Sequence, residues 1–364
     1  MDDDFSDRAF STRAVWSGTN HLEGSAVTPI FTTSTYQLND DRYRDWADGG
    51  QHSLIYSRWS NVNSEAVASK VASLEGAEDG ETLASGMAAI SSTLLSMLSK
   101  GDHMVTSADI YGGTYGLLTS DFPRFGIDVT MADIRDPSSF EAAINENTKV
   151  LYVETITNPV LKVCDLEAMA SIAKEHGLIS VVDNTFATPW ACQPISMGFD
   201  VVIHSGTKFL NGHTDLTAGI VVGRSDLIKG VFKTKTRLGG TADAFMCYLL
   251  ERGMRTLHAR MPIHASNSSE LARRMQEHPE ISAVNHPSLE SYPDYEVAKR
   301  IVPKGTGMLS FVVKGGDERA MRFVRALDII FEATSLGGIE SLVSCPFNTS
   351  DIFVPEEDRL EAGI

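Results

Sequence analysis

Two stretches, LISVVDNTFATP (178–189) and DVVIHSGTKFLNGHTD (200–215), each carry a short apolar run that breaks off into polar residues. In the first, Leu178–Val182 gives way to Asp183-Asn184-Thr185; in the second, Asp200–Ile203 gives way to His204-Ser205-Gly206-Thr207-Lys208. Short runs of this kind read as strands buried on both faces. Comparable runs at Met104–Thr106, Val150–Val153 and Ile220–Val222 alternate with amphipathic stretches such as Asp165–His176. The alternation predicts an α/β fold: a mainly parallel sheet covered by helices on both faces.

Outward from this centre the pattern changes twice. Residues 1–62 show weak periodicity, many turn formers and scattered aromatics, from Trp16 to Trp59, and read as an N-terminal arm. From Asn63 a helical pattern (Val67, Val71, Leu74) runs to Gly76, which reads as its C-terminal cap. The strand–helix alternation then continues to about residue 255. Beyond it come a helix, a strand at Met308–Val313, a helix at Glu318–Ala326 and a loop-rich end. The predicted organisation is an arm (1–62), a large domain (63–255) and a smaller C-terminal α/β domain (256–364).

The 364 residues suffice for two packed domains, and 42% apolar with 22% charged residues is an ordinary globular balance. No run approaches the roughly 18 apolar residues of a membrane helix. The acidic start, Met1-Asp2-Asp3-Asp4-Phe5, lacks the basic and apolar regions of a secretory signal, so the expected location is cytoplasmic. A formal charge of −17 opposes nucleic acid and anionic membrane surfaces. Cys164, Cys192, Cys247 and Cys345 form no CxxC pair, which suggests buried thiols rather than a metal site or a disulfide framework.

In open parallel sheets, ligands bind beyond the carboxyl ends of the strands, which directs attention to Asp183, to Lys208, and to Glu154 with Asn158 after Lys149–Val153. A lysine after a strand end can be a desolvated amine able to form an imine with an aldehyde. A buried aspartate needs a cationic partner, and a protonated pyridine nitrogen is one. Ala84-Ser85-Gly86-Met87 opens a helix at Ala88–Leu98, where backbone N–H groups can hold a phosphate. Each feature alone has an ordinary explanation: a solvated lysine, a turn-capping aspartate, a helix N-cap. Together they point to pyridoxal 5'-phosphate (PLP). There is no GxGxxG after a strand, no GxxxxGK[ST] and no HExxH to support nicotinamide, P-loop or zinc-protease chemistry.

VVDNTFATP (181–189) and VIHSGTKFLNGHTD (202–215) resemble the paired signatures of the Cys/Met-metabolism (transsulfuration) PLP enzymes. So do Tyr56-Ser57-Arg58, LASGMAAI (83–90), IYGGTYG (110–116), YVETITNPVLKVCDLEAMA (152–170) and SLGGIESL (335–342), in family order over nearly the whole chain. The resemblance implies a fold type I PLP-dependent transferase and a homotetramer of two catalytic dimers. It implies that Lys208 holds the cofactor as a Schiff base and shuttles protons, that Asp183 pairs with the pyridine nitrogen, and that Tyr111 stacks on the ring. Ser85, Gly86, Met87, Ser205 and Thr207 would hold the phosphate, with Tyr56 and Arg58 contributed by the neighbouring subunit. Asn158 and Ser335 would contact the substrate carboxylate region, and Glu154 would support the cofactor's polar surroundings.

For the substrate, the resemblance implies γ-elimination or γ-replacement on cystathionine- or O-acyl-homoserine-type amino acids, of the cystathionine γ-lyase and γ-synthase kind. Glu340 resembles that branch, and Gly113 stands where methionine γ-lyases usually have cysteine. Gly116, Val62-Asn63 and Asp351 depart from that branch's usual arginine, Pro-Thr and histidine, which leaves O-acetylhomoserine sulfhydrylase and methionine γ-lyase open. The chain ends at Gly363-Ile364, before the arginine with which members grip the substrate carboxylate. A helix beginning at Glu357–Ala362, a truncated small domain and a PLP-binding but inactive protein are therefore also expectations.

Overall fold

Seven strands build the central sheet of the computed structural model, which describes residues 5–38, 40–47, 50, 52–349, 357 and 359. They are β1 (Asp79–Leu83), β2 (His103–Ser107), β3 (Asp128–Ala132), β4 (Thr148–Glu154), β5 (Ile179–Asp183), β6 (Val201–Ser205) and β7 (Gly219–Gly223). Their spatial order is β1-β7-β6-β5-β4-β2-β3. From β3 to β6 the pairing is parallel, whereas β7 runs antiparallel to both β6 and β1. Two reversals cancel, so β1 points the same way as β6. The helix that follows β1 therefore starts at the edge of the sheet where β4, β5 and β6 end.

Alternation along the strands divides the core in two. Val150, Tyr152, Val181, Val201, Ile203 and Val221 enter one apolar cluster with Ile90 and Leu94 of the Gly86–Met97 helix. Leu151, Val153, Val182, Val202, Ile220 and Val222 enter the other with Val67 and Val71 of the Val62–Glu75 helix. With both faces covered, every position of the inner strands is apolar-compatible, hence the continuous runs in the sequence. The charged groups of β4 and β5, Glu154 and Asp183, stand at the strand ends.

The helix starts are set locally. Asn61 and Ser64 form a reciprocal capping box for Val62–Glu75, which ends at Gly76 with φ 77°. Ser85 caps Gly86–Met97 by accepting from Ala88 N at 3.1 Å, and Asp165 likewise caps Leu166–Glu175. All four cysteines are free and buried.

Several readings are corrected. The arm contains helices at Phe10–Trp16 and Asp40–Ala47, which its broken periodicity concealed. The β1 sequence, Asp-Gly-Glu-Thr-Leu, shows no apolar pattern because Glu81 is buried against Lys235 at 2.5 Å rather than replaced by an apolar residue. The strand expected from Met308 begins at Ser310 and pairs antiparallel, as β9 (Ser310–Val313), with β8 (Ile281–Asn285). Asp351 and, apart from Glu357 and Arg359, the expected helix at 357–362 with Gly363-Ile364 lie outside the described residues. Among the described residues no helix is long and apolar enough to cross a membrane.

The close approach of β7 to the helix start requires Gly219, where an added Cβ would lie 2.1 Å from Ser85 O and 2.8 Å from Ala89 Cβ. Gly219→Ala should therefore push the Ser85–Gly86 turn off the sheet and cost about 1–3 kcal/mol. The denaturant midpoint measures this, and an unchanged midpoint would show that the turn yields freely.

Candidate active site

Four loops converge at the common strand end. Lys208 follows β6 by three residues, Asp183 closes β5, Glu154 closes β4, and Tyr111 lies just past β2. Glu154 and Asp183 are register partners across β4 and β5, so their carboxylates are adjacent. Lys208 Nζ donates to Ser335 Oγ at 2.8 Å, and Ser335 is held in the left-handed region at φ 83°. That strained residue brings the 335–338 loop over the lysine; a Cβ on Gly337 would lie 2.7 Å from Lys208 C.

Neighbouring backbone fixes each group. Thr185 N donates to Asp183 Oδ1 at 2.9 Å, and Thr185 Oγ1 accepts from Ser205 N at 2.8 Å, tying β5 to the lysine loop. Tyr111 N donates to Glu154 Oε1 at 2.7 Å. The Asn158 backbone N–H also bonds the Glu154 carboxylate. Thr207 Oγ1 accepts from Ala218 N at 3.0 Å. Gly86 lies against Ser205, where an added Cβ would stand 3.0 Å from Ser205 Cβ and Oγ. Met87 reaches the Tyr111 turn: a Cβ on Gly113 would be 3.0 Å from Met87 Sδ.

Two groups of expected residues sit apart from this convergence. Glu340 hydrogen-bonds Thr214 Oγ1, on the loop beyond Lys208. Tyr56 and Arg58 are exposed; Arg58 donates to Thr236 O at 2.8 Å, with its guanidinium 5.6 Å from the Tyr56 ring centroid.

The profile of the Cys/Met metabolism PLP-dependent enzymes matches residues 11–364. The chain belongs to this family. The enzyme is 40% identical, over 96% of its length and 89% of the relative's, to the L-methionine γ-lyase of Porphyromonas gingivalis. It is 38% identical to the cystathionine γ-lyase of Bacillus subtilis, over 94% of this chain and 88% of that one. A solved structure of cystathionine γ-lyase from Lactobacillus plantarum complexed with L-serine superposes with a TM-score of 0.91 at 34% identity, covering 98% of this chain and 92% of that one. The enzyme is thus a PLP-dependent carbon–sulfur lyase-family protein with the α/β architecture expected of fold type I.

The residues present fit the cofactor. Gly86 and Met87 open a 12-residue helix, and first-turn N–H groups lack intrahelical acceptors. Burial pulls Lys208 below the ordinary lysine range, and among the described residues it forms no ion pair with a carboxylate. Burial pushes Asp183 above the usual aspartate range, while the Thr185 hydrogen bonds and His204 pull it back. Glu154 is raised well above its usual value by burial and then by Asp183, with the Tyr111 and Asn158 N–H groups opposing. An amine awaiting an aldehyde, a carboxylate awaiting a cation and a helix start awaiting an anion match the three ends of one molecule.

Motif reading passed over what lies behind the site. Glu75 Oε1 stands 2.7 Å from His204 Nε2 and accepts from Asn184 Nδ2 at 2.9 Å, all three being buried. His204 and Asn184 fall inside longer signature stretches and Glu75 precedes the Gly76 cap; nothing local in the sequence joins residues 109 or 129 positions apart.

An acid whose folded pKa is raised binds more protons folded than unfolded. Its contribution to stability is therefore greatest below the unfolded pKa and falls as pH climbs toward the raised value. Asp183→Asn should raise the unfolding midpoint of the cofactor-free enzyme at neutral pH, by roughly 2–4 °C for each kcal/mol of relieved burial cost. It should also flatten the decline in midpoint as pH rises from about 4, the ordinary aspartate value. A thermal-unfolding series with pH tests both; a lower midpoint with an unchanged slope would refute the burial argument.

Proposed function

We propose that this enzyme eliminates or replaces the γ-substituent of a cystathionine- or O-acyl-homoserine-type amino acid, with Lys208 as cofactor lysine and proton carrier. The observation that carries the reading is the desolvated Lys208 amine, held by Ser335 Oγ at the strand ends where Asp183 and the Gly86 helix start also lie. When bound, the cofactor supplies a protonated ring that withdraws electrons from the substrate's α-carbon. The chain's own residues do the rest. Asp183 keeps the ring nitrogen protonated. The N–H groups of Gly86 and Met87, with Ser85, Ser205 and Thr207 around them, hold the phosphate. Tyr111 covers one face of the site and excludes water, its backbone fixed by Glu154. Lys208 Nζ takes the proton from the substrate's α-carbon and moves protons between Cα and Cβ, the step that permits a γ-substituent to leave. Asn158 and Ser335 line the substrate side, and Glu340 acts through its bond to Thr214 Oγ1 on the loop beyond Lys208.

Tyr56 and Arg58 belong, in this reading, to the phosphate site of a neighbouring copy, the enzyme being a homotetramer of two catalytic dimers. Their exposure, and the Arg58 guanidinium lying over the Tyr56 and Trp59 rings, support this. Arg58→Ala should weaken PLP retention about tenfold or more, the scale of one lost charge-assisted hydrogen bond. Equilibrium dialysis measures it; unchanged retention would reduce Arg58 to its bond with Thr236 O.

Gly113 supports the cystathionine side of the choice. A Cβ there would lie 2.5 Å from Tyr111 Cε1, so this Tyr111 ring occupies space that a cysteine, usual in methionine γ-lyases by the sequence resemblance, would need. The second reading, methionine γ-lyase, is favoured by the 40% identity to the Porphyromonas gingivalis enzyme. Product identification with cystathionine, O-acetylhomoserine plus sulfide, and methionine should show kcat/KM for cystathionine above that for methionine by about tenfold, or about 1.4 kcal/mol. Gly113→Cys should narrow the gap by displacing Tyr111. Preference for methionine in the unaltered enzyme would select the second reading.

A further inference from the structure

Beyond Ser205 the chain makes one tight turn that carries Lys208. Asn211 N donates to Gly206 O at 3.1 Å, and Gly212 N donates to Lys208 O at 2.9 Å. The next two carbonyls, of Phe209 and Leu210, accept from a side chain far along the chain: Arg260 Nη1 donates to Phe209 O at 2.8 Å and Nη2 to Leu210 O at 3.3 Å. The same guanidinium donates through Nη2 to Gly253 O at 2.9 Å and through Nε to Thr256 Oγ1 at 3.0 Å. Its plane fits because Gly212, at φ 74°, has no side chain; a Cβ there would stand 2.1 Å from Arg260 Nη1.

Every bond of this guanidinium goes to a neutral oxygen. Among the described residues it forms no ion pair with a carboxylate, and burial brings its pKa down to about 10. One helical turn later on the Leu257–Gln276 helix, His264 is held below its ordinary value by burial and by the Arg260 charge. The His264 ring meets Phe209 edge-on, with centroids 5.3 Å apart. A desolvated cation without a counter-charge is costly. Carbonyl dipoles at the C-terminal end of a helical turn offset part of that cost, and a rigid planar fork fixes two consecutive carbonyls as a lysine could not.

We propose that Arg260 is a positioning residue for Lys208: by clamping the Phe209 and Leu210 carbonyls it sets where the Lys208 amine stands relative to Ser335 and the strand ends. The proposal rests on the reading of Lys208 as the cofactor lysine. Removal of the clamp leaves the Gly86 helix start and Asp183 in place, so binding of the phosphate and ring is retained while the reactions of the amine slow.

The test compares Arg260→Ala, Arg260→Lys and Lys208→Ala, each prepared free of cofactor. Two ligands separate the roles: PLP, whose visible band reports reaction with the amine, and pyridoxine 5'-phosphate, which carries the same phosphate and ring but no aldehyde. Arg260→Ala should slow growth of the band and lower kcat about ten- to a hundredfold, as misplacement by up to about 1 Å does. Affinity for pyridoxine 5'-phosphate and KM should stay within about twofold, well under the 1.4 kcal/mol of a tenfold change. Methylguanidinium should restore part of the rate where methylammonium at equal concentration does not, and Arg260→Lys should lie between Arg260→Ala and the unaltered enzyme. Loss of pyridoxine 5'-phosphate affinity in parallel with the rate, without guanidinium rescue, would reduce Arg260 to a folding role and overturn the proposal; so would an unaltered rate. A visible, borohydride-reducible band persisting in Lys208→Ala would instead sink the reading of Lys208 itself, whatever Arg260 does.

Discussion

The site gathers charged groups that form no ion pairs with one another or with their neighbours among the described residues. Lys208 and Asp183 stand at neighbouring strand ends without ion pairs among the described residues, and Glu154 lies beside Asp183 in register. In a buried setting such groups drift toward their neutral forms, which the directions of all three pKa shifts record. Most of the surrounding structure serves to hold them there. Both faces of the sheet are filled with apolar side chains, so the strand ends are where polar groups can collect. Thr185 and Ser335 then bond them by backbone and hydroxyl, supplying direction without neutralising charge.

What was legible in the sequence follows from the same division. Doubly buried strands leave uninterrupted apolar runs, so β2, β4, β5, β6 and β7 are visible, with Asp183 and Lys208 where those runs stop. The Gly86 helix start is visible because capping is a local affair of Ser85 and Ala88. β1 is not, since its buried Glu81 is compensated by Lys235, 154 positions away. The antiparallel placement of β7 is equally hidden: a short loop and a crossover leave similar apolar runs, and only the pairing with β1 and β6 distinguishes them. The Asp40–Ala47 helix of the arm escapes because it presents few apolar residues, reading Asp-Asp-Arg-Tyr-Arg-Asp-Trp-Ala. Residues that act from behind, such as Arg260 and Glu75, are held by contacts across the fold and leave no motif.

The Asp183-Asn184-Thr185 tripeptide shows how alternation serves the site. Successive residues leaving a strand point to opposite sides, so the first and third can face the ligand only if the second faces the core. Thr185 bonds both Asp183 and Ser205 at the start of the lysine loop, and Asn184 is wholly buried. A buried carboxamide must be satisfied at both ends. Asn184 Oδ1 accepts from Thr155 Oγ1 at 2.8 Å, and Nδ2 donates to Glu75 Oε1 and Cys192 O at 2.9 and 3.0 Å. One side chain thus joins the end of β5 to the loop after β4, to the last residue of the Val62–Glu75 helix and to the segment beyond Pro189. An apolar residue of similar size would fill the space but leave Thr155 and Cys192 O without this partner and Glu75 with His204 alone. The cost would fall on the backbone that aims Asp183, since Asn184 N also donates to Ile203 O at 2.9 Å and Thr155 N to Asp183 O at 3.0 Å. The polar network on the far side of the sheet is therefore the counterpart of the charged one on the near side: it gives the Asp183 carboxylate a fixed place to stand.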